Sequence, residues 1–378
     1  MNSYDVLIVG GGIIGGSIAI ELAKQKLRVA ILDRQQPGME ASWAAAGMLC
    51  GAPESPDAIP LVPLAKASLE IYGEYIAGVE AVSGRKTGYR RDGALMVFFA
   101  ENAERELSTI LAVHHGLGCA AEAIRVEEAR RLEPALNPAV RAAAWLSDDG
   151  SVDPRALTEA VLLAAKKEGA EILTRPQGAT SLATETNRCI GVMAGEEKIS
   201  AGKVIVAAGC FSGKIPGIEK YAPTRPVRGQ MIALAAPPSG MNLGRVVRSE
   251  RGYLVPQANG RILAGTTSEH AGFEKRVTPA GMQQIFAAAL EIAPELAQAG
   301  VVETWSGLRP DTPDHLPSLG PTDMDGLLIA TGHYRNGILL APITARLLRK
   351  WVTEQPLSVA VEAFSPMRFA EHEIGVRG

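Results

Sequence analysis

Apolar residues run unbroken from Val6 to Val9 and then give way to Gly10, Gly11, Gly12, Gly15 and Gly16. A continuous run this short, closed by a turn signal, predicts a strand buried on both faces. Helical apolar spacing follows over residues 13–26, and a second apolar run over 28–32 ends in Asp33. A loop rich in small residues is expected over 34–63. The same reading predicts helices over 63–82, 101–116, 126–132, 155–168, 279–292 and 337–352. Strands are predicted over 88–99, 142–146, 170–173, 189–193, 203–209, 229–234, 252–256, 261–265, 301–308 and 325–330. Those at the start, around 203–209 and at the end are buried runs that alternate with helices, which predicts a parallel sheet. Those around 86–147 and 225–267 lack that rhythm; turns such as Asn259-Gly260 make them antiparallel hairpins. The fold class is therefore α/β, with a discontinuous first domain and a second, α+β domain on an antiparallel sheet.

The opening stretch carries chemistry because of its glycine spacing. Gly10, Gly12 and Gly15 stand as G-x-G-x-x-G between a strand and a helix, with Asp33 at the end of the next strand. This is the order of the Rossmann-type dinucleotide fingerprint. Gly10 permits the tight turn, Gly12 lets backbone approach a pyrophosphate, and Gly15 lets helix and strand pack closely. The helix N-terminus presents unpaired N–H groups to the phosphates, and Asp33 is placed to accept from a ribose diol. Parallel strands aim their C-terminal ends at the ligand crevice, which brings Ala208 and Gly209 to the cofactor. The small residues of 40–49 fit either a helix packed by alanines or a backbone lying close to a flat ligand, and their place after Asp33 favours the second.

Composition narrows the choices. A chain of 378 residues predicts two domains or one large insertion. A net charge of −3 with no basic block argues against a nucleic-acid partner. Cys50, Cys119, Cys189 and Cys210 are scattered, the pattern of free buried thiols in a reducing compartment. No metal site is expected from His114, His115, His270 or His315, nor a carboxylate pair from Asp311 and Asp314. The chain enters a core strand within five residues and holds no run of 18 apolar residues, so neither a secretory signal nor a membrane span is expected. That points to the cytoplasm.

Two later stretches stand out. Arg309, in Gly307-Leu308-Arg309-Pro310, ends a strand-like run; it is either a salt-bridged structural arginine or a planar fork for a substrate carboxylate. In Ala330-Thr331-Gly332-His333-Tyr334-Arg335-Asn336-Gly337, an apolar strand turns into a new helix whose N-terminus suits negative charge.

Together with Ala44-Ala45-Ala46-Gly47-Met48-Leu49, these stretches resemble the flavin-dependent D-amino acid oxidase superfamily, most closely its glycine oxidases of the thiamine-synthesis type. The likeness runs from about residue 4 to 352. The changes of pattern along the chain divide it into an FAD-binding domain over 1–85, 148–222 and 301–378, and a substrate domain over 86–147 and 223–300. The likeness implies that FAD is met by Ile13, Ile14, Asp33, Arg34, Ala41, Ser42, Ala46, Gly47 and Met48, and by His333, Tyr334, Arg335, Asn336, Gly337, Ile338 and Leu339. Arg309 and Tyr253 match the residues that hold the substrate carboxylate. Arg335 matches another active-site arginine, and Met48 would line the substrate space. Arg251 and Ser268 stand where well-known members can carry His and Met. No cysteine follows Cys210, which implies non-covalent FAD.

The implied chemistry is oxidation of a C–N bond in a small amine or amino acid. A neutral amine gives hydride from Cα to flavin N5 without a dedicated general base, and the imine hydrolyses or feeds thiazole synthesis. Molecular oxygen becomes hydrogen peroxide. The resemblance also suggests a homo-oligomer, often a tetramer. Other readings are a D-amino acid or 2-hydroxy acid dehydrogenase with a different electron acceptor, and a flavin-binding sensor.

Overall fold

A computed structural model of the chain describes residues 3–52, 56–241, 243–357 and 359–370. Its first sheet has the order Ser318–Pro321, Leu327–Thr331, Glu197–Val206, Ser3–Val9, Val29–Asp33, Glu171–Thr174. All but Ser318–Pro321 on this path are parallel. A hairpin of Ser181–Glu185 and Arg188–Ala194 extends from Glu197–Val206. Alternation of side chains along a strand explains the unbroken apolar run. Val6 and Ile8 face the helices Ile13–Ala23, Val62–Ser83, Pro154–Lys167 and Gly337–Val352. Leu7 and Val9 face the other way, toward Val192, Ile218 and Tyr221.

The second sheet has the order Val301–Asp311, Arg225–Ala235, Arg261–Gly265, Tyr253–Pro256, Val246–Arg248, Ala94–Phe98, Ala142–Leu146, Glu122–Ile124. It is antiparallel except where Val246–Arg248 runs parallel to Ala94–Phe98. The helix Pro279–Ile292 covers one face through Ile285, Ala289 and Ile292. The opposite face, with Met231, Val255 and Trp305, packs toward Ala44 of the first half.

Several elements depart from the pattern reading. The first helix stops at Ala23 rather than near residue 26, and Lys26 takes a left-handed φ of 64°. The strand Val301–Asp311 runs to Asp311 and pairs along Arg225–Ala235, from Arg225↔Asp311 to Leu234↔Val301. It therefore belongs to the antiparallel sheet, although residues 301–311 fall in the stretch expected for the cofactor half. Its start is exposed, at Val301, Val302 and Thr304, and from Gly307 on both faces are largely buried. Short strands at Glu122–Ile124, Ser181–Glu185, Val246–Arg248 and Ser318–Pro321 were not expected. Glu122–Ile124 and Val246–Arg248 have three residues each, too few for alternation to show.

Candidate active site

The cavity, about 570 Å³, lies where the C-terminal ends of Ser3–Val9, Val29–Asp33 and Leu327–Thr331 face the second sheet. Val9, Leu32 and Thr331 line one wall, and Met231, Tyr253 and Arg309 another.

At one end the Asp33 carboxylate accepts from the Gly11 N–H at 2.8 Å and the Gln35 N–H at 3.2 Å. Burial lifts this carboxyl above its ordinary range, against the pull of those bonds and of Arg34. Gly10 sits at φ 108°, and a Cβ at Gly15 would overlap the Gly10 carbonyl oxygen. Gly15 thus lies behind the turn, not on the cavity wall, and its absent side chain is what lets the helix meet the strand. No side chain caps this helix at Gly12; its Ile13 N–H points to the Ser42 hydroxyl at 2.9 Å.

The small-residue loop contains the helix Ala41–Ala44 and the strand Met48–Leu49, which pairs with Gly150–Ser151. Its close approaches are to protein as well as to the cavity. A Cβ at Gly307 would overlap that of Ala44, and Gly47, at φ 82°, rests against the Val152 carbonyl. The Arg155 guanidinium lies 3.5 Å from the Trp43 ring centre and 4.6 Å from that of Trp305. It pairs with Glu303 at 2.9 Å, and Glu303 also takes Arg261 at 2.8 Å. Ala41, Ser42, Ala46, Gly47 and Met48 all face the cavity.

The corner after Leu327–Thr331 forms a second rim. His333 is 3% exposed, and its Nε2 lies 3.1 Å from the Thr344 hydroxyl. Burial drives its pKa down to about 3, so the imidazole is neutral at ordinary pH. Tyr334 holds a left-handed φ of 48°, and its N–H donates to the Pro310 carbonyl at 2.9 Å. No side chain caps the helix Gly337–Val352 at Asn336, and Gly337 and Ile338 line the cavity. The carbonyls of Ile338 and Leu339 accept from Tyr72 at 3.0 Å and Ser68 at 2.6 Å, which fixes where this helix starts. Leu339 itself is turned into the core, away from the cavity.

Across the cavity, the Arg309 guanidinium lies over Gly229, where a Cβ would overlap it. It donates to the Thr267 carbonyl at 3.1 Å and the Thr266 hydroxyl at 2.8 Å. The Tyr253 hydroxyl is 3.4 Å from the Met231 sulfur. The structure brings Gly10, Gly12, Ile13, Ile14, Arg34, Ala208, Gly209, Tyr334, Arg335 and Asn336 to the same cavity. Pattern reading missed Gln177, Thr180, Phe211, Lys214, Met231 and Thr266. Phe211, stacked 3.6 Å from Arg34, follows Gly209 at a strand end, so the rule that pointed to Ala208 reaches it. Gln177 and Thr180 come from a connection with no local signal. Among the described residues no group of three His, Cys, Asp or Glu is placed to hold a metal, and no helix is long and apolar enough to cross a membrane.

A glycine turn at the end of a parallel sheet, facing an arginine on an antiparallel one, is the build of a flavoprotein oxidoreductase. The chain belongs to the FAD dependent oxidoreductase family, whose model matches residues 5–351. It is 37% identical over 376 residues to the bifunctional protein ThiO/ThiG of Synechocystis sp., covering 97% of this chain and 54% of that one. It thus spans about half the length of the bifunctional relatives it matches. It is 32% identical to the glycine oxidase of Geobacillus kaustophilus, covering 97% of each. The crystal structure of glycine oxidase from that organism matches with a TM-score of 0.91 at 32% identity, over 97% of this chain and 99% of that one. The residues present fit FAD: two helix N-termini whose own N-cap residues, Gly12 and Asn336, make no side-chain cap, and a carboxylate at a strand end, open on one cavity.

Proposed function

We propose that this protein uses non-covalently bound FAD to oxidise the C–N bond of glycine and other small primary or secondary amines or D-amino acids. The observation that carries this reading is the Arg309 guanidinium, set flat over Gly229 in the wall of the cofactor cavity. A planar fork there suits a substrate carboxylate. FAD supplies the two-electron acceptor when bound, held by Gly10, Gly12, Ile13, Ile14, Asp33, Ser42, Gly47 and the corner 333–338. Arg309 and Tyr253 hold the carboxylate, with Arg335 at the rim and Met48 against the substrate. Orientation is then the protein's main contribution. His333 lines the cavity as a neutral ring engaged by Thr344, so a substrate entering as the free amine needs no base from it.

The glycine oxidase likeness supports oxygen as the final acceptor, with hydrogen peroxide formed and the glycine imine available to thiamine thiazole synthesis. A cytoplasmic homo-oligomer and a cofactor domain distinct from a substrate domain belong to the same proposal. The test is anaerobic mixing of the purified yellow protein with glycine, sarcosine, D-amino acids and 2-hydroxyglutarate. Bleaching of the flavin band by glycine, and peroxide on admitting air, is the expected result. Bleaching only by a hydroxy acid or larger D-amino acid, with slow reoxidation, would replace this reading with a dehydrogenase.

A further inference from the structure

We propose that Gln230 is a positioning residue for substrate binding: it fastens the segment 266–278, and that segment holds the Arg309 guanidinium. The inference rests on Arg309 as the carboxylate group and adds what sets its orientation.

Gln230 lies in the strand Arg225–Ala235 and is wholly buried. A buried amide is costly unless its polar atoms are paired. Here every one of them is paired, and to a single segment. The Gln230 N–H donates to the Thr267 hydroxyl at 3.0 Å, and its carbonyl accepts from the Thr266 hydroxyl at 3.0 Å. Its side-chain Oε1 accepts from the Thr278 N–H at 2.8 Å. Its Nε2 donates to Glu269 at 2.6 Å and to the Thr278 hydroxyl at 3.0 Å. Gly281 makes the room, since a Cβ there would overlap the amide.

The same segment supplies both acceptors given above for Arg309. Thr266 is the hinge of the arrangement: one hydroxyl accepts from Arg309 and donates to the Gln230 carbonyl. Glu269 closes the far side. It exchanges backbone hydrogen bonds with Arg228 at 2.9 Å each way and takes the Arg228 guanidinium and the Thr267 hydroxyl on its carboxylate. Burial alone would raise the Glu269 carboxyl; the bonds from Thr267, Arg228 and Gln230 outweigh it and leave it below its usual range. Thr278 also caps the helix Pro279–Ile292 by accepting from the Gly281 N–H at 3.2 Å. The orientation of Arg309 is thus linked through Gln230 to the start of a helix on the outer face of the second sheet. An arginine fork grips a carboxylate only over a narrow range of angles, so slack in this segment acts on binding first.

The test uses the FAD-loaded protein and acetate as a carboxylate probe, read from perturbation of the flavin band. Gln230→Met keeps length and loses every side-chain bond. The expected result is an acetate Kd and a glycine KM each raised about tenfold, with kcat within about threefold and FAD retained, since a decade is about 1.4 kcal/mol. Thr278→Val leaves the Gln230 amide its bonds to Glu269 and to the Thr278 N–H, removes the hydroxyl that serves both Gln230 and the Gly281 N–H, and serves if the first variant does not fold; about a threefold rise in acetate Kd is expected. Unchanged acetate Kd in the folded variant overturns the proposal. So does an equal fall in FAD retention and kcat, the mark of a merely structural amide. Arg309→Met separates the layers. If it abolishes acetate binding while the Gln230 and Thr278 variants bind normally, only this inference fails. If it leaves acetate binding intact, the carboxylate role of Arg309 fails as well.

Discussion

The Trp305 indole N–H donates to the Ala44 carbonyl at 3.1 Å, joining two residues 261 positions apart. Trp305 stands on the strand Val301–Asp311 of the second sheet, and Ala44 ends the short helix Ala41–Ala44 beside the cavity. Side chains alternate along a strand, so Trp305, Gly307 and Arg309 share one face. Trp305 holds Ala44, Gly307 has no Cβ to obstruct it, and Arg309 reaches the cavity. One strand face thereby sets the spacing across the cavity between the loop at Ala44 and Arg309.

Trp305→Phe keeps a ring against Arg155 and deletes the N–H. The Ala44 carbonyl is then left unsatisfied in a buried site, at a cost of about 1–3 kcal/mol. FAD affinity is expected to fall by about two- to twelvefold if half of that cost reaches the loop. Fluorescence of released FAD measures it. Wild-type affinity would show that the loop is held without this bond.

Gly15→Ala places a methyl on the Gly10 carbonyl. Either the turn or the helix must shift, and overpacking of this kind costs about 1–3 kcal/mol. Since the helix N-terminus and the turn both face the cavity, the variant should lose FAD affinity and melt at a lower temperature. A variant that melts earlier yet binds FAD normally would mean that the helix moves and the turn does not.

His333 makes a pH prediction. Its folded pKa is about 3 against 6.5 for the free side chain, because burial disfavours the imidazolium. Below pH 6.5 the unfolded chain therefore binds a proton that the folded chain refuses. Stability contributed by this residue is intact above that pH and falls as pH drops toward 3. Compared with His333→Gln, the protein should lose about 1.4 kcal/mol more per pH unit within that window. Urea titrations from pH 7 down to about 4.5, above most carboxylate titrations, give the difference. Parallel curves would place a charged His333 in the folded protein.

The opening unit was legible because everything it needs is local. The turn at Gly10, the close packing at Gly15 and the carboxylate at Asp33 follow from residues within one strand–helix–strand, and the structure places them as spacing implied. The corner at 330–338 was legible for the same reason, down to the helix starting at Gly337. The likeness also implies that Leu339 meets FAD; its side chain packs into the core, next in the chain to Ile338 on the cavity wall.

Gln230 could not be read in this way. In the sequence it is one polar residue between Gly229 and Met231 in an apolar run. Its meaning lies in partners 36 to 48 positions away. The strand that bears Arg309 was recognised as a strand, but its sheet was not, because pairing partners are chosen by register across the fold. Periodicity and backbone freedom act over a few residues, and the amino-acid order alone determines them. Burial, neutral histidines and the orientation of a guanidinium depend on groups that only the closed chain brings within hydrogen-bond reach, and these the tertiary structure decided.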